Sequence, residues 1–102
     1  MIFDFQTSDI IKEVTLSNKF KILLFDCSGK YKDLDAAKRS RNIYAINDNR
    51  IVWRVVSNSD EMGWPFLDIF EKDRELHALR WDDCEYRIDI ETGKATSIAF
   101  LK

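Results

Sequence analysis

The sequence predicts a mainly β domain: an antiparallel meander of about eight strands forming a twisted sheet or small sandwich, with at most one short helix near 33–40. Three observations predict it. Apolar and polar residues alternate in short runs along most of the chain. Turn residues separate these runs at roughly the 8–12-residue spacing of a meander. One motif also occurs twice: Tyr44-Ala45-Ile46-Asn47 and Tyr86-Arg87-Ile88-Asp89 share Tyr-x-Ile-Asn/Asp at an offset of 42 residues. That offset is within the range of a four-stranded propeller blade, but two such units cannot close a propeller.

Residues 1–5 set Phe3 and Phe5 against Ile2 and Asp4 and read as a short first strand, ended by Thr7-Ser8-Asp9. Residues 11–16 and 20–25 read as the next two strands, joined by a turn at Ser17-Asn18-Lys19. The stretch 30–41 is the one place where a helix fits. Asp33 or Asp35 can cap it, and Ala36-Ala37-Lys38-Arg39 are good helix formers. It has almost no apolar periodicity beyond Leu34, so it is at most about one turn or a basic loop.

The stretch 42–56, which opens NIYAINDNRIVWRV, carries the strongest hairpin signal. Asp48 and Asn49 tolerate the positive φ that a two-residue turn needs. With that loop, Ile46 faces Ile51 and Tyr44 faces Trp53. Both faces are largely apolar, so the hairpin reads as central and covered on both sides. Residues 57–65 form a loop by composition. Residues 66–81 read as two strands around Lys72-Asp73-Arg74-Glu75, although periodicity leaves a helix at 71–79 open. Asp82-Asp83 makes a turn, Tyr86, Ile88 and Ile90 alternate with Arg87 and Asp89, and Gly93 supplies a turn before a last strand at 94–101.

The 102 residues fit a single domain over 1–102, and 45% hydrophobic content supplies a core. No apolar run approaches the roughly 20 residues of a membrane helix. The start, MIFDFQTSDII, lacks the features of a signal peptide, so the expected compartment is the cytoplasm. Cys27 and Cys84 have no CxxC spacing and are expected to be reduced. Net charge is −2 but unevenly spread. Residues 1–57 carry ten basic and seven acidic side chains, a balance of +3, and residues 58–102 carry six and eleven, a balance of −5.

Catalytic signatures are missing. His77 is the one histidine, so histidine-pair acid–base chemistry does not apply. Its spacing from Cys27 and Cys84 matches no zinc motif. No GxSxG, P-loop or GxGxxG occurs. Asp68, Asp82, Asp83, Glu85 and Asp89 are carboxylates that glycoside or metal chemistry would need in pairs, but Asp82-Asp83 is more simply a turn. Tyr44, Trp53, Phe66, Phe70 and Trp81 stand at strand periodicity and read as core. The basic stretch 30–41 is interrupted by Asp33 and Asp35 and has Tyr31 as its one aromatic, which argues against direct nucleic-acid binding. No enzyme activity, cofactor or metal is expected.

NIYAINDNRIVWRV, with the later W…YRIDIETGKA, resembles the blade hairpins of quinoprotein-type propellers. It is more similar to small bacterial β-meander proteins, among them immunity proteins of contact-dependent growth inhibition and related polymorphic toxin systems. The resemblance covers residues 42–102, and the first 41 residues match no such pattern. It implies a cytoplasmic single domain that binds a cognate toxin and covers its active site; the acidic half makes a basic toxin of nuclease type the expected partner, bound by a monomer in a 1:1 complex.

The acidic half locates the expected contact. Asp60, Glu61, Asp82, Asp83 and Glu85 would meet a basic toxin, with Met62 and Trp64 as the apolar centre. The alternative is a small ligand- or carbohydrate-binding β module using an aromatic sheet face.

Overall fold

The computed structural model describes residues 1–27 and 29–100, the side chain of Phe100 excepted. Two four-stranded antiparallel sheets form, each a meander. The first contains β1 (Ile10–Thr15), β2 (Lys21–Phe25), β3 (Ile43–Asn47) and β4 (Arg50–Arg54). The second contains β5 (Phe66–Lys72), β6 (Glu75–Arg80), β7 (Cys84–Ile88) and β8 (Ala95–Phe100). The expected small sandwich is therefore present, including the 66–81 hairpin, for which periodicity left a helix open.

The helix is one turn, α1 (Ala36–Ser40), capped by the Asp35 carboxylate, which accepts from the Lys38 N–H at 2.8 Å. Its Ala-Ala-Lys-Arg run is a good local former, but too short to be stable without packing. No helix among the described residues is long and apolar enough to cross a membrane.

The tight hairpins follow from turn chemistry. Asp48 and Asn49 both have positive φ, as do Asp73 and Arg74, the mirror-image geometry that matches the twist of the flanking strands. Ile46 faces Ile51 as expected, but Tyr44 pairs with Arg54, and Ala45 pairs with Trp53. The cause is a bulge that leaves Val52 extra on β4. One extra residue inverts the facing of everything beyond it. Trp53 thereby turns into the space between the sheets, and Arg54 turns outward over the Tyr44 ring, at 5.0 Å.

Both faces of this hairpin are covered, but by different cores. Between the sheets lie Ile22, Leu24, Ile43, Ala45, Trp53 and Val55, facing Phe66, Ile69, Leu76, Ala78, Tyr86 and Ile88. On the outer face of the first sheet, Phe5, Leu23, Phe25, Cys27 and Tyr44 form a second cluster. Residues 1–5 are not a strand. Their alternation instead places Phe3 and Phe5 against Phe25 and Tyr44, with ring centroids about 5 Å apart. The Asp4–Arg54 ion pair and the Tyr44 hydroxyl hold this segment down.

The hairpin is not wholly central, since β4 is an edge strand. The chain beyond it reaches the other sheet through a parallel bridge between Val56 and Lys94. On the opposite side, Lys12 of β1 and Asp68 of β5 form an ion pair at 2.8 Å. The repeated Tyr-x-Ile motif occupies the third strand of each sheet, but on opposite faces: Tyr44 points out and Tyr86 points in.

Gly93 shows why its turn needs glycine. Its φ is +81°, and a Cβ there would sit 2.6 Å from Cε3 of Trp53. Gly93→Ala is expected to lower stability by at least about 2 kcal/mol, from backbone strain and a clash with a ring that cannot retreat. A melting temperature within two or three degrees of wild type would show that the turn and Trp53 do not meet in this way.

Candidate functional site

The inward-facing positions of β6 are Leu76, Ala78 and Arg80, so a cation takes the last core-facing place. Arg80 is 2% exposed. Its guanidinium donates to the Trp64 carbonyl at 2.8 Å, to Ser57 Oγ at 2.6 Å and to Asp60 Oδ1 at 2.8 Å. It also lies over the Phe66 ring, 4.3 Å from the centroid.

Asp60 is equally committed. It too is 2% exposed, and it accepts from Arg41 at 2.8 Å as well as from the Ser57 N–H and hydroxyl. Burial alone would raise the Asp60 pKa, but the bonds from Arg41, Ser57 and Arg80 outweigh it and hold the carboxyl below its ordinary value. Ser40, from α1, donates to the Asp60 carbonyl at 2.7 Å. The 57–65 loop is thus tied to both halves of the chain.

Asn42 adds a second tie. Its side-chain amide donates to the carbonyls of Phe25 and Phe66 and accepts from the Phe66 N–H, each at 2.8 Å. The start of β5 is thereby fixed against the end of β2.

These ties bring the loop and the β6–β7 turn to one end of the second sheet, where Trp81 N–H donates to the Pro65 carbonyl at 3.2 Å. Of the residues expected to contact a partner, Glu61 and Asp83 are exposed, Met62 is 53% exposed and Trp64 is half-buried. Three acids differ from expectation. Asp60 is internal. Asp82 accepts from the Tyr86 hydroxyl at 2.6 Å and from the Cys84 N–H at 3.1 Å. Glu85 lies 2.7 Å from Nδ1 of His77. Of the five acids expected at the contact, Asp60, Asp82 and Glu85 are therefore bonded within the fold, and Glu61 and Asp83 are exposed.

Trp81 is the main correction. It reads as core by periodicity but is 61% exposed. Arg80 holds the inward position, so its neighbour must point out. Trp64, Pro65 and Trp81 line an open cleft of about 400 Å³, together with Lys30, Lys32 and Arg39 from the first half. Met62 and Leu67 add further exposed apolar surface from the adjoining loop and strand. The sequence signal for this site was the parity of β6, in which a lone arginine shares the register of Leu76 and Ala78.

His77 is buried and stacked on Phe70, and its Nε2 lies 3.5 Å from Glu75 with no hydrogen-bond partner among the described residues. Cys27 and Cys84 are free thiols, and burial raises the pKa of Cys27. Among the described residues, no three His, Cys, Asp or Glu side chains are gathered as metal ligands.

A family model described as a domain of unknown function, DUF7957, matches residues 7–100. No curated protein and no solved structure matches the chain. Because the match runs from the turn before β1 through to β8, taking in both sheets and the loop between them, the chain belongs to the DUF7957 family.

Proposed function

We propose that this chain is a cytoplasmic immunity protein. It binds a cognate toxin of nuclease type through the Trp64–Trp81 end and covers the toxin's active site. The observation that carries the reading is a tryptophan 61% exposed beside a loop that is rigidly braced from beneath. Exposed large apolar side chains grouped at one place mark interaction surfaces, and tryptophan is the residue most enriched at binding hot spots. A loop already held by Arg80 and Asp60 loses little further freedom on association. Glu61 and Asp83 stand at the rim, where carboxylates speed encounter with a cationic nucleic-acid site.

The cleft itself favours a second reading, a small carbohydrate-binding module, because two indoles line a volume of about 400 Å³. Salt separates the two. Toxin binding weakens as salt rises, and stacking of a neutral sugar does not.

The direct test is co-purification with the C-terminal domain of a toxin encoded beside this gene, followed by a neutralisation assay. Trp81→Ala is expected to weaken binding by about 2 kcal/mol, roughly thirtyfold. Its melting temperature should stay near wild type, since little of the ring is buried. Full neutralisation by Trp81→Ala would place the interface elsewhere.

A further inference from the structure

We infer that the Trp64–Trp81 cleft takes an acidic–aromatic segment of a protein partner: a large apolar side chain against the indoles, with a neighbouring carboxylate held by Lys32 and Arg39. This rests on the reading of that end as the partner-binding surface, but not on what the partner does.

The charges around the cleft carry the inference. Lys30 is already paired with Asp9 at 2.6 Å and lies 3.9 Å from Asp26. Lys32 and Arg39, by contrast, form no ion pair among the described residues. Arg39 donates one N–H to the Leu34 carbonyl at 2.5 Å. Its Nη2 lies beside Gly63, where an added Cβ would come within 3.3 Å of it. Two cations without an ion pair among the described residues therefore border a cleft whose other walls are the two indoles, Pro65, Cys27, two glycines and the already paired Lys30. A carboxylate placed there gains charge-assisted hydrogen bonds, and a planar or bulky apolar group gains the two ring faces.

The same charges argue against a polyanion. Two free cations match one or two carboxylates. A longer phosphate chain leaving the cleft meets the surface that carries Glu61 and Asp83, in the half whose balance is −5. Stacking of single-stranded nucleic acid needs a positive groove that continues along the strand, and the fold supplies a short one.

The test is a titration of the full chain, labelled with nitrogen-15, with short peptides of identical apolar content. One carries Asp and Glu around a Phe-Leu pair, one carries Asn and Gln, and one carries Lys. An oligothymidylate is the fourth probe. The readout is the indole N–H signals of Trp53, Trp64 and Trp81. Trp53 is the internal reference, because it is buried and bonded to the Ile90 carbonyl.

The expected result is saturable movement of the Trp64 and Trp81 signals with the acidic peptide, bound about fivefold tighter than the neutral one. Trp53 should stay still, and Lys32→Glu should erase the preference. Equal or tighter binding of the neutral peptide, the Lys peptide or the oligothymidylate overturns the inference, as does the absence of any movement at Trp64 and Trp81. Undiminished neutralisation by Lys32→Glu removes this inference alone. Undiminished neutralisation by Trp81→Ala removes the reading beneath it.

Discussion

Asp60→Ala is expected to cost about 3–5 kcal/mol, enough to leave much of the population unfolded at physiological temperature. The substitution strands Arg80, which has no route to water. A buried cation without its carboxylate suffers the full desolvation penalty, and the Ser57 and Arg41 donors lose their acceptor at the same time. Glu61→Ala is the matched control, because it removes an exposed loop carboxylate and should change stability by no more than about 0.5 kcal/mol.

The pH dependence has a definite sign. The folded-state pKa of Asp60 lies below its ordinary value of 3.8. The ion pairs therefore contribute fully above that ordinary value, and the contribution is lost as pH falls through the depressed one. Urea unfolding at neutral pH compares the variants, and a series descending below the ordinary carboxylate pKa tests the linkage. Asp60→Ala should flatten the acid limb of that series. An Asp60→Ala protein as stable as wild type, or one with an unaltered acid limb, would mean that Asp60 does not anchor Arg80.

Trp53→Ala is expected to cost about 3–5 kcal/mol as well, by a different route. Trp53 is 6% exposed, packed between the sheets, and its Nε1 donates to the Ile90 carbonyl at 2.8 Å. Removing the ring opens a cavity that backbone ladders on both sides prevent from collapsing. It also leaves the Ile90 carbonyl without that donor and the close seat of Gly93 empty. The measurable result is a lower urea midpoint with an unchanged slope. Melting within a few degrees of wild type would show that the indole is not part of the core.

How far the sequence reveals this molecule depends on which residues carry the signal. The hairpin turns were legible, because Asp48-Asn49 and Gly93 announce left-handed backbone. The helix start was legible to within two candidates, Asp33 and Asp35, and the structure selects Asp35, the one directly before the alanine pair. The register beyond Val52 was not, because a bulge leaves no mark in a run of apolar residues that suits either facing. The N-terminal alternation of Phe3 and Phe5 reported burial truthfully but not ladder pairing, as an aromatic segment can lie across a sheet without joining it.

The candidate site was legible only in part. Trp64 and Met62 stand out in a polar loop. Trp81 was hidden, because hydrophobic pattern assigns tryptophan to the inside unless its neighbour is known to be there. Arg80 and Asp60 hid for the complementary reason: charged residues are counted as surface until a partner of opposite sign is found, and theirs lies 20 residues away. The same gap explains the overestimated acidic face, where Asp82 and Glu85 are held by Tyr86 and His77.

In both sheets every strand pairs with its neighbour in sequence. Each ladder but β2–β3, whose connection carries α1, can therefore zip from a short turn with little loop-closure entropy, which favours fast formation for a β protein. The contacts that remain are the ones joining the halves, the apolar core between the sheets and, within it, the polar ties of Arg80 to Asp60 and Asn42 to Phe66. Kinetic persistence and speed of formation are then governed by separate residues. The turns set how quickly the sheets appear, and the buried core and polar seam between them set how long, once docked, they stay together.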